Sequence, residues 1–197
     1  MMRRLFQRWR NDAEGVTAVE FALVAPVLLI GMMGVFDMGH NMYTASVLNG
    51  SIQKVARDST IEGAASNESA LDSRVQDLID NIAPGAKATF KRTAYTSFSD
   101  VKEPEDFTDV NGDGTCNDGE PFEDANGNGT WDADRGSAGF GSARDAVLYE
   151  VTVNYPRLFP VSKILGTPDT MQMTVKTVLR NQPFGEQQAR TMTDNCA

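Results

Sequence analysis

The chain has 197 residues, room for one ordinary domain and an appendage, and carries a net charge of −9 with a sequence pI near 4.6. That balance excludes a nucleic-acid partner, because phosphate binding needs clustered Lys and Arg. Its two cysteines, Cys116 and Cys196, are too few for a disulfide scaffold or a structural zinc cluster and lack metal-ligand spacing. Outside the cytoplasm they are able to pair, which would staple an acidic region to the tail.

The first ten residues hold Arg3, Arg4, Arg8 and Arg10 and no acid. From Val16 to Phe36 no charge appears except Glu20, and an apolar run of this length, about twenty residues, suits a helix that spans the hydrocarbon core. Arginines before it and an acidic remainder after it predict a cytoplasmic N-terminus and an exported head. A removable secretory signal is the rival reading, but the run is long for one and ends in "GVFDMGH", without an A-x-A-like site. Glu20 needs an explanation, since a carboxylate within hydrocarbon costs several kcal/mol unless it is paired or snorkels to the interface.

Gly15, the arginines before it, Glu20 five residues after it and the apolar run together resemble a class III prepilin leader of the type IV filament superfamily. More narrowly, "GVTAVEFALVAPVLL" resembles the N-terminal signature of TadE-like proteins, minor pilins or pseudopilins of the tight-adherence (Tad/Flp) pilus system. "TVLRNQPFG", Thr177 to Gly185, is similar to that family's closing segment. The resemblance covers about the first fifty residues and this closing segment, and it implies roles for four positions. Gly15 precedes the cut made by a membrane prepilin peptidase, and Val16 becomes the mature N-terminus. Glu20, followed by Phe21, pairs with the new α-amine of a neighbouring subunit. The implied setting is the bacterial inner membrane, single pass with a periplasmic head, with possible export in a pilus. The implied partners are the peptidase, other pilins or pseudopilins and the pilus assembly platform.

Beyond the span Met38, Met42, Ala45, Leu48, Ile52 and Val55 recur every three or four residues, which predicts one helix from about Val16 to Ser59. The methionines read as packing, and His40, the only histidine, has no second one to act with. Leu71, Val75, Leu78, Ile79 and Ile82 predict a second helix, capped by Asn67 or Ser69 and stopped by Pro84-Gly85. "KATFKRTAYTSF" reads as a strand. "DAVLYEVTVNYPRLF" alternates Val147, Tyr149, Val151, Val153 and Tyr155 against Leu148, Glu150, Thr152 and Asn154. "TMQMTVKTVLRNQ" sets Met171, Met173, Val175 and Thr177 on one side. The connection between the last two holds three prolines and reads as a long loop. The expected fold class is α+β, a long N-terminal helix packed on a small antiparallel sheet, the architecture of a type IV pilin-like head.

Between the first strand and the other two lies "DVNGDGTCNDGEPFEDANGNGTWDADRG". From Asp100 to Arg135 there are twelve acids against Lys102 and Arg135. Read as a twelve-residue calcium loop, Asp109 takes position one, Asn111 three, Asp113 five, Thr115 seven, Asn117 nine and Glu120 twelve, with Gly114 at the sharp turn. An imperfect copy fifteen residues later offers Asp124, Asn126, Asn128, Thr130 and Asp132, but Arg135 stands where the bidentate glutamate belongs. Asp134 or Glu123 would have to serve there. Pro104 and Pro121 leave little room for long flanking helices, so the segment reads as EF-hand-like loops holding Ca2+. Trp131, Phe122 and Phe140 would supply a small core for this lobe. The competing reading is a solvated loop of Asx-turns.

These readings divide the chain into a leader (1–15), a span (16–36), the helical continuation and start of the head (37–99), the acidic insertion (100–140), head strands (141–185) and a polar tail (186–197). The tail lacks periodicity and reads as mobile unless Cys196 anchors it. The expected function is structural: a minor pilin or pseudopilin, stabilised by calcium. The alternative is a membrane-anchored, periplasmic calcium-binding interaction module outside any pilus. No enzyme is expected, for the sequence holds no H-E-x-x-H, G-x-S-x-G or phosphate-cradling glycine loop.

Overall fold

The computed structural model describes residues 14–59, 67–159, 162–163, 166–183, 186 and 192–197. Most of the leader, residues 1–13, lies outside them, as do Phe184 and Gly185 of the closing segment and part of the tail. Two helices, α1 (Glu14–Asp58) and α2 (Glu68–Ile82), precede the strands β1 (Lys87–Tyr95), β2 (Pro121–Asp124), β3 (Ser137–Ala138), β4 (Ala146–Pro156), β5 (Thr170–Arg180) and β6 (Met192–Asn195).

The 45-residue α1 runs through Pro26 without ending. Arg57 in its last turn complements the partial negative charge there. α2 has Asn67 at its N-cap position and Glu68 in its first turn, and it stops before Pro84-Gly85. The amide of Gln76 then ties α2 to the next element, donating to Ala86 O at 3.0 Å and accepting from Ala88 N–H at 3.2 Å. This places the start of β1 directly beside the helix.

The described residues form two compact units by contact: those of Met1–Tyr43 with Arg157–Asp169, and those of Thr44–Pro156 with Thr170–Ala197. The second is the head. Its main sheet is antiparallel in the order β3-β1-β4-β5, with Phe90 opposite Val151 and Val151 opposite Val175. Leu48, Ile52, Val55 and Ala56 of α1 and Leu71, Val75 and Ile79 of α2 pack on Tyr149, Val151, Val153, Tyr155 and Val175. Full burial of each large aliphatic side chain is worth roughly 1.5–3 kcal/mol, so this face is the principal source of stability.

Strict alternation fails at the start of β4. Leu148, expected on the open face, is buried with Tyr95 and Ala146, and Val101 and Val178 pack against them. The segment after β1 folds back over that face. Phe140 also departs from expectation: it packs against the main core rather than within the acidic insertion.

Gly136 lies where the insertion rejoins the sheet. A Cβ there would come within 2.7 Å of the buried Tyr95 ring and closer still to Thr93. Both neighbours are buried, so Gly136→Ala is expected to cost about 1–3 kcal/mol of head stability through overpacking. A urea denaturation midpoint equal to wild type would refute this.

Candidate functional site

Two regions have the composition of working surfaces. The first is the N-terminal half of α1, where Gly15, Val16, Glu20 and Phe21 lie on continuous helix. Val16 is 56% and Phe21 67% exposed, and Glu20 is exposed as well. None of the most apolar stretch of this helix is buried within the chain, and the helix is long and apolar enough to cross a membrane. So large an uncovered apolar surface calls for lipid or other subunits around it.

The second region is the acidic insertion, where the residues of the two loop copies adopt the same local geometry. Asp109 accepts N–H bonds from Gly112 (2.6 Å) and Gly114 (2.9 Å). Fifteen residues on, Asp124 accepts from Gly127 (2.6 Å) and Gly129 (2.9 Å). Gly114 and Gly129 sit at φ of 76° and 77°, a left-handed conformation that glycine reaches at little cost. Asn111 Oδ1 accepts from the Asp113 N–H, and Asn126 Oδ1 from the Asn128 N–H. Asp113 and Asn128 each accept from a threonine N–H, of Thr115 and Thr130, at 2.8 Å.

Within each loop two asparagine amides converge on a single carboxylate oxygen. Asn111 and Asn117 donate to Asp113 Oδ2 at 3.2 and 2.8 Å. Asn126 and Asn128 donate to Asp132 Oδ2 at 2.7 and 2.5 Å. The amide N–H groups thus supply the positive partner that the carboxylate needs. The carboxylates and asparagine side chains of each loop carry oxygens of the kind that a hard cation such as Ca2+ takes. Among the described residues no three His, Cys, Asp or Glu side chains gather as a ready ligand cluster. The oxygen set therefore depends on the asparagines and backbone carbonyls. The Asp113 carboxyl is held below its ordinary pKa, chiefly by the Asn117 amide and then by the Thr115 N–H, so it stays anionic further into acid.

The twelfth position separates the two copies in sequence, and the fold restores their likeness. Glu120 is 3% exposed, and its Oε1 accepts from Val110 (2.6 Å) and Asn111 (3.2 Å) of the first loop. Glu105 is 1% exposed, and it accepts from Ala125 (2.8 Å) and Asp132 (3.0 Å) of the second. Each loop is therefore closed by a buried glutamate, and the second loop's glutamate comes from upstream in the chain. Asp134, by contrast, accepts from Tyr95 Oη at 3.2 Å and from the Gly136 N–H. Glu123 lies 3.8 Å from Arg135, which also pairs with Asp106 at 2.7 Å. Arg135 is thus an internal cation of the lobe. The available signal for Glu105 was the repeat itself: Glu105-x-Phe107 stands fifteen residues before Glu120-x-Phe122.

The copies meet across a short antiparallel bridge between Phe107 and Phe122, with Thr108 N–H to Pro121 O at 2.9 Å and Glu123 N–H to Asp106 O at 2.8 Å. Trp131 stands edge-on to Phe107 and donates to Glu105 O at 2.7 Å. The end of the tail, expected to lack structure unless anchored, forms β6 against β2. Cys196 is bonded to Cys116 with a Cα–Cα distance of 5.5 Å, and its N–H donates to Glu120 O. The lobe is therefore tied to the chain terminus covalently and by strand pairing.

The family model for TadE-like proteins matches residues 15–57, the extent of α1 almost to its end. No curated protein and no solved structure matches the chain.

Proposed function

Starting from that TadE-like match over α1, we propose that the chain is a minor pilin or pseudopilin of a tight-adherence pilus. The observation that carries the reading is the coincidence of the matched segment with an uncovered, membrane-length helix whose apolar run, Val16 to Phe36, holds one carboxylate, Glu20. A prepilin peptidase removes residues 1–15, leaving Val16 as the mature N-terminus on the cytoplasmic side. In the assembled state the Glu20 carboxylate pairs with the α-amine of an adjacent subunit, which lowers the cost of both charges in lipid and fixes the axial register. Other pilins or pseudopilins and the assembly platform are the partners, and the head faces the periplasm.

The acidic lobe, on this reading, binds calcium for a structural purpose. Asp109, Asn111, Asp113, Thr115, Asn117 and Glu120 would hold one ion. Asp124, Asn126, Asn128, Thr130 and Asp132, closed by Glu105, would hold a second, and Asp134 keeps its bond to Tyr95. Bound calcium would supply the positive charge that orders this crowd of acids. The chain's own residues already set the turns that a cation needs.

Glu20→Gln tests the assembly role. The expected result is a variant that still inserts in the membrane but is no longer recovered with sheared pili or the assembly complex. Recovery equal to wild type would contradict the pairing. It would favour a membrane-anchored, calcium-binding interaction module instead.

A further inference from the structure

The connection between β4 and β5 belongs by its contacts to the unit that contains the apolar half of α1. Arg157 Nη1 pairs with Asp37 Oδ2, and the Asp37 side chain is 9% exposed. The Phe159 ring lies 6.4 Å from that of Phe36. The connection is fastened to itself by Arg157 N–H to Asp169 O at 3.0 Å, Arg157 Nε to Pro168 O at 3.0 Å and Thr167 N–H to Ser162 O at 3.0 Å. Leu158, beside Phe159, is 58% exposed, and Lys163 is exposed too.

Depth follows from helix geometry. At 1.5 Å per residue the run from Val16 to Phe36 covers about 30 Å, the thickness of the hydrocarbon core. Phe36 therefore marks the boundary where α1 leaves lipid. Phe159 contacts Phe36, so Phe159 and its neighbour Leu158 stand at about the same level. Asp37, the first charge past the boundary, is neutralised there by Arg157.

We propose that the β4–β5 connection is a second membrane contact, in which Leu158 and Phe159 seat in the bilayer interface beside α1 and Lys163 meets anionic lipid phosphates. The arrangement suits that place. Aromatic and aliphatic side chains gain from burial at the acyl boundary, while a lysine keeps its charge among the headgroups. Pairing Asp37 with Arg157 removes a bare carboxylate that anionic lipid would repel. The inference rests on α1 crossing the membrane and is independent of any cleavage or pilus assembly.

The test uses the full chain in phosphatidylglycerol-containing vesicles, with single environment-sensitive labels on Leu158→Cys, Val24→Cys and Thr174→Cys. Val24 reports the span, and Thr174 is an exposed position on β5. The expected result is blue-shifted emission at Leu158, quenched by lipids spin-labelled near the headgroup, with quenching at Val24 by lipids spin-labelled deep in the acyl chain and no quenching by either at Thr174. Quenching at Val24 without quenching at Leu158 would overturn this inference and leave the span intact. Absence of quenching at Val24 would overturn the span and this inference together. A blue shift at Leu158 without lipid quenching would mean that protein covers it, which also overturns the proposal.

Discussion

Chelating calcium is expected to open the acidic lobe to protease between β1 and β3 while β4 and β5 remain protected. In the absence of cation the tips of the two loops rely on amide-to-carboxylate bonds such as Asn117 to Asp113, which are exposed to water and individually weak. At millimolar calcium, a site with Kd of about 10⁻⁴ M adds about 1.4 kcal/mol by mass action, and two sites roughly double that. The closing glutamates make the prediction specific. Glu120→Gln should remove most of the calcium-dependent rise in Tm contributed by the first loop. Glu105→Gln should do the same for the second, although it lies upstream of that loop. Each also weakens buried N–H bonds to a carboxylate, at about 1–3 kcal/mol, so the decisive quantity is the difference between Tm with calcium and with chelator. An unchanged difference in Glu105→Gln would refute its place in the second site. Identical digestion of wild type with and without chelator would refute calcium binding by the lobe as a whole.

Arg92→Leu is expected to destabilise the head by about 2–3 kcal/mol, because it removes the buried cation that ties the largely shielded Asp72 and the exposed Glu68 of α2 to the sheet. The Arg92 side chain is 3% exposed and pairs with Asp72 and Glu68 of α2. Its guanidinium lies 4.4 Å from the Tyr149 ring centroid and 4.6 Å from that of Phe140. The Tyr149 hydroxyl donates to Asp72 as well, and its pKa is raised by burial first, with the Asp72 charge adding to it and Arg92 opposing. Replacing Arg92 thus loses two charge pairs, two cation–π contacts and part of the clamp between α2 and the sheet. Asp72→Asn added to Arg92→Leu should recover part of the loss, which denaturant midpoints of the single and double variants would show. Equal midpoints for wild type and Arg92→Leu would contradict the clamp.

The elements legible in sequence are those whose pattern is local. The three-to-four spacing of Met38 through Val55 predicted a helix from Val16 to Ser59, and α1 spans Glu14–Asp58. The alternation of Val147 to Tyr155 marked β4, whose length and buried face follow it. What escaped notice depends on distant partners. Leu148 follows the alternation of an open face and is buried only because Val101 returns over it. β6 consists of Met192 to Asn195, a polar stretch with no period of its own, and it is a strand because β2 and the disulfide hold it. Arg92 carries no local signal of its role. Its carboxylate partners lie twenty or more residues earlier, in α2. The loop copies were visible through their Asp, Asn and Gly spacing, whereas Glu105 was hidden because it closes a loop that starts nineteen residues after it.

The pilus reading and the calcium reading stand on separate observations. The first rests on α1 and its family match, the second on the geometry of residues 105–132. A chain that binds calcium yet keeps its leader would be a membrane-anchored module. A chain that is processed yet ignores calcium would still be a pilin-like subunit.

The most direct measurement is the intact mass and N-terminal sequence of the protein recovered from cells with an active prepilin peptidase. A chain beginning at Val16 is the predicted result, with Gly15→Ala blocking the change. A wild-type chain that keeps residues 1–15 in those membranes would contradict the account at its centre.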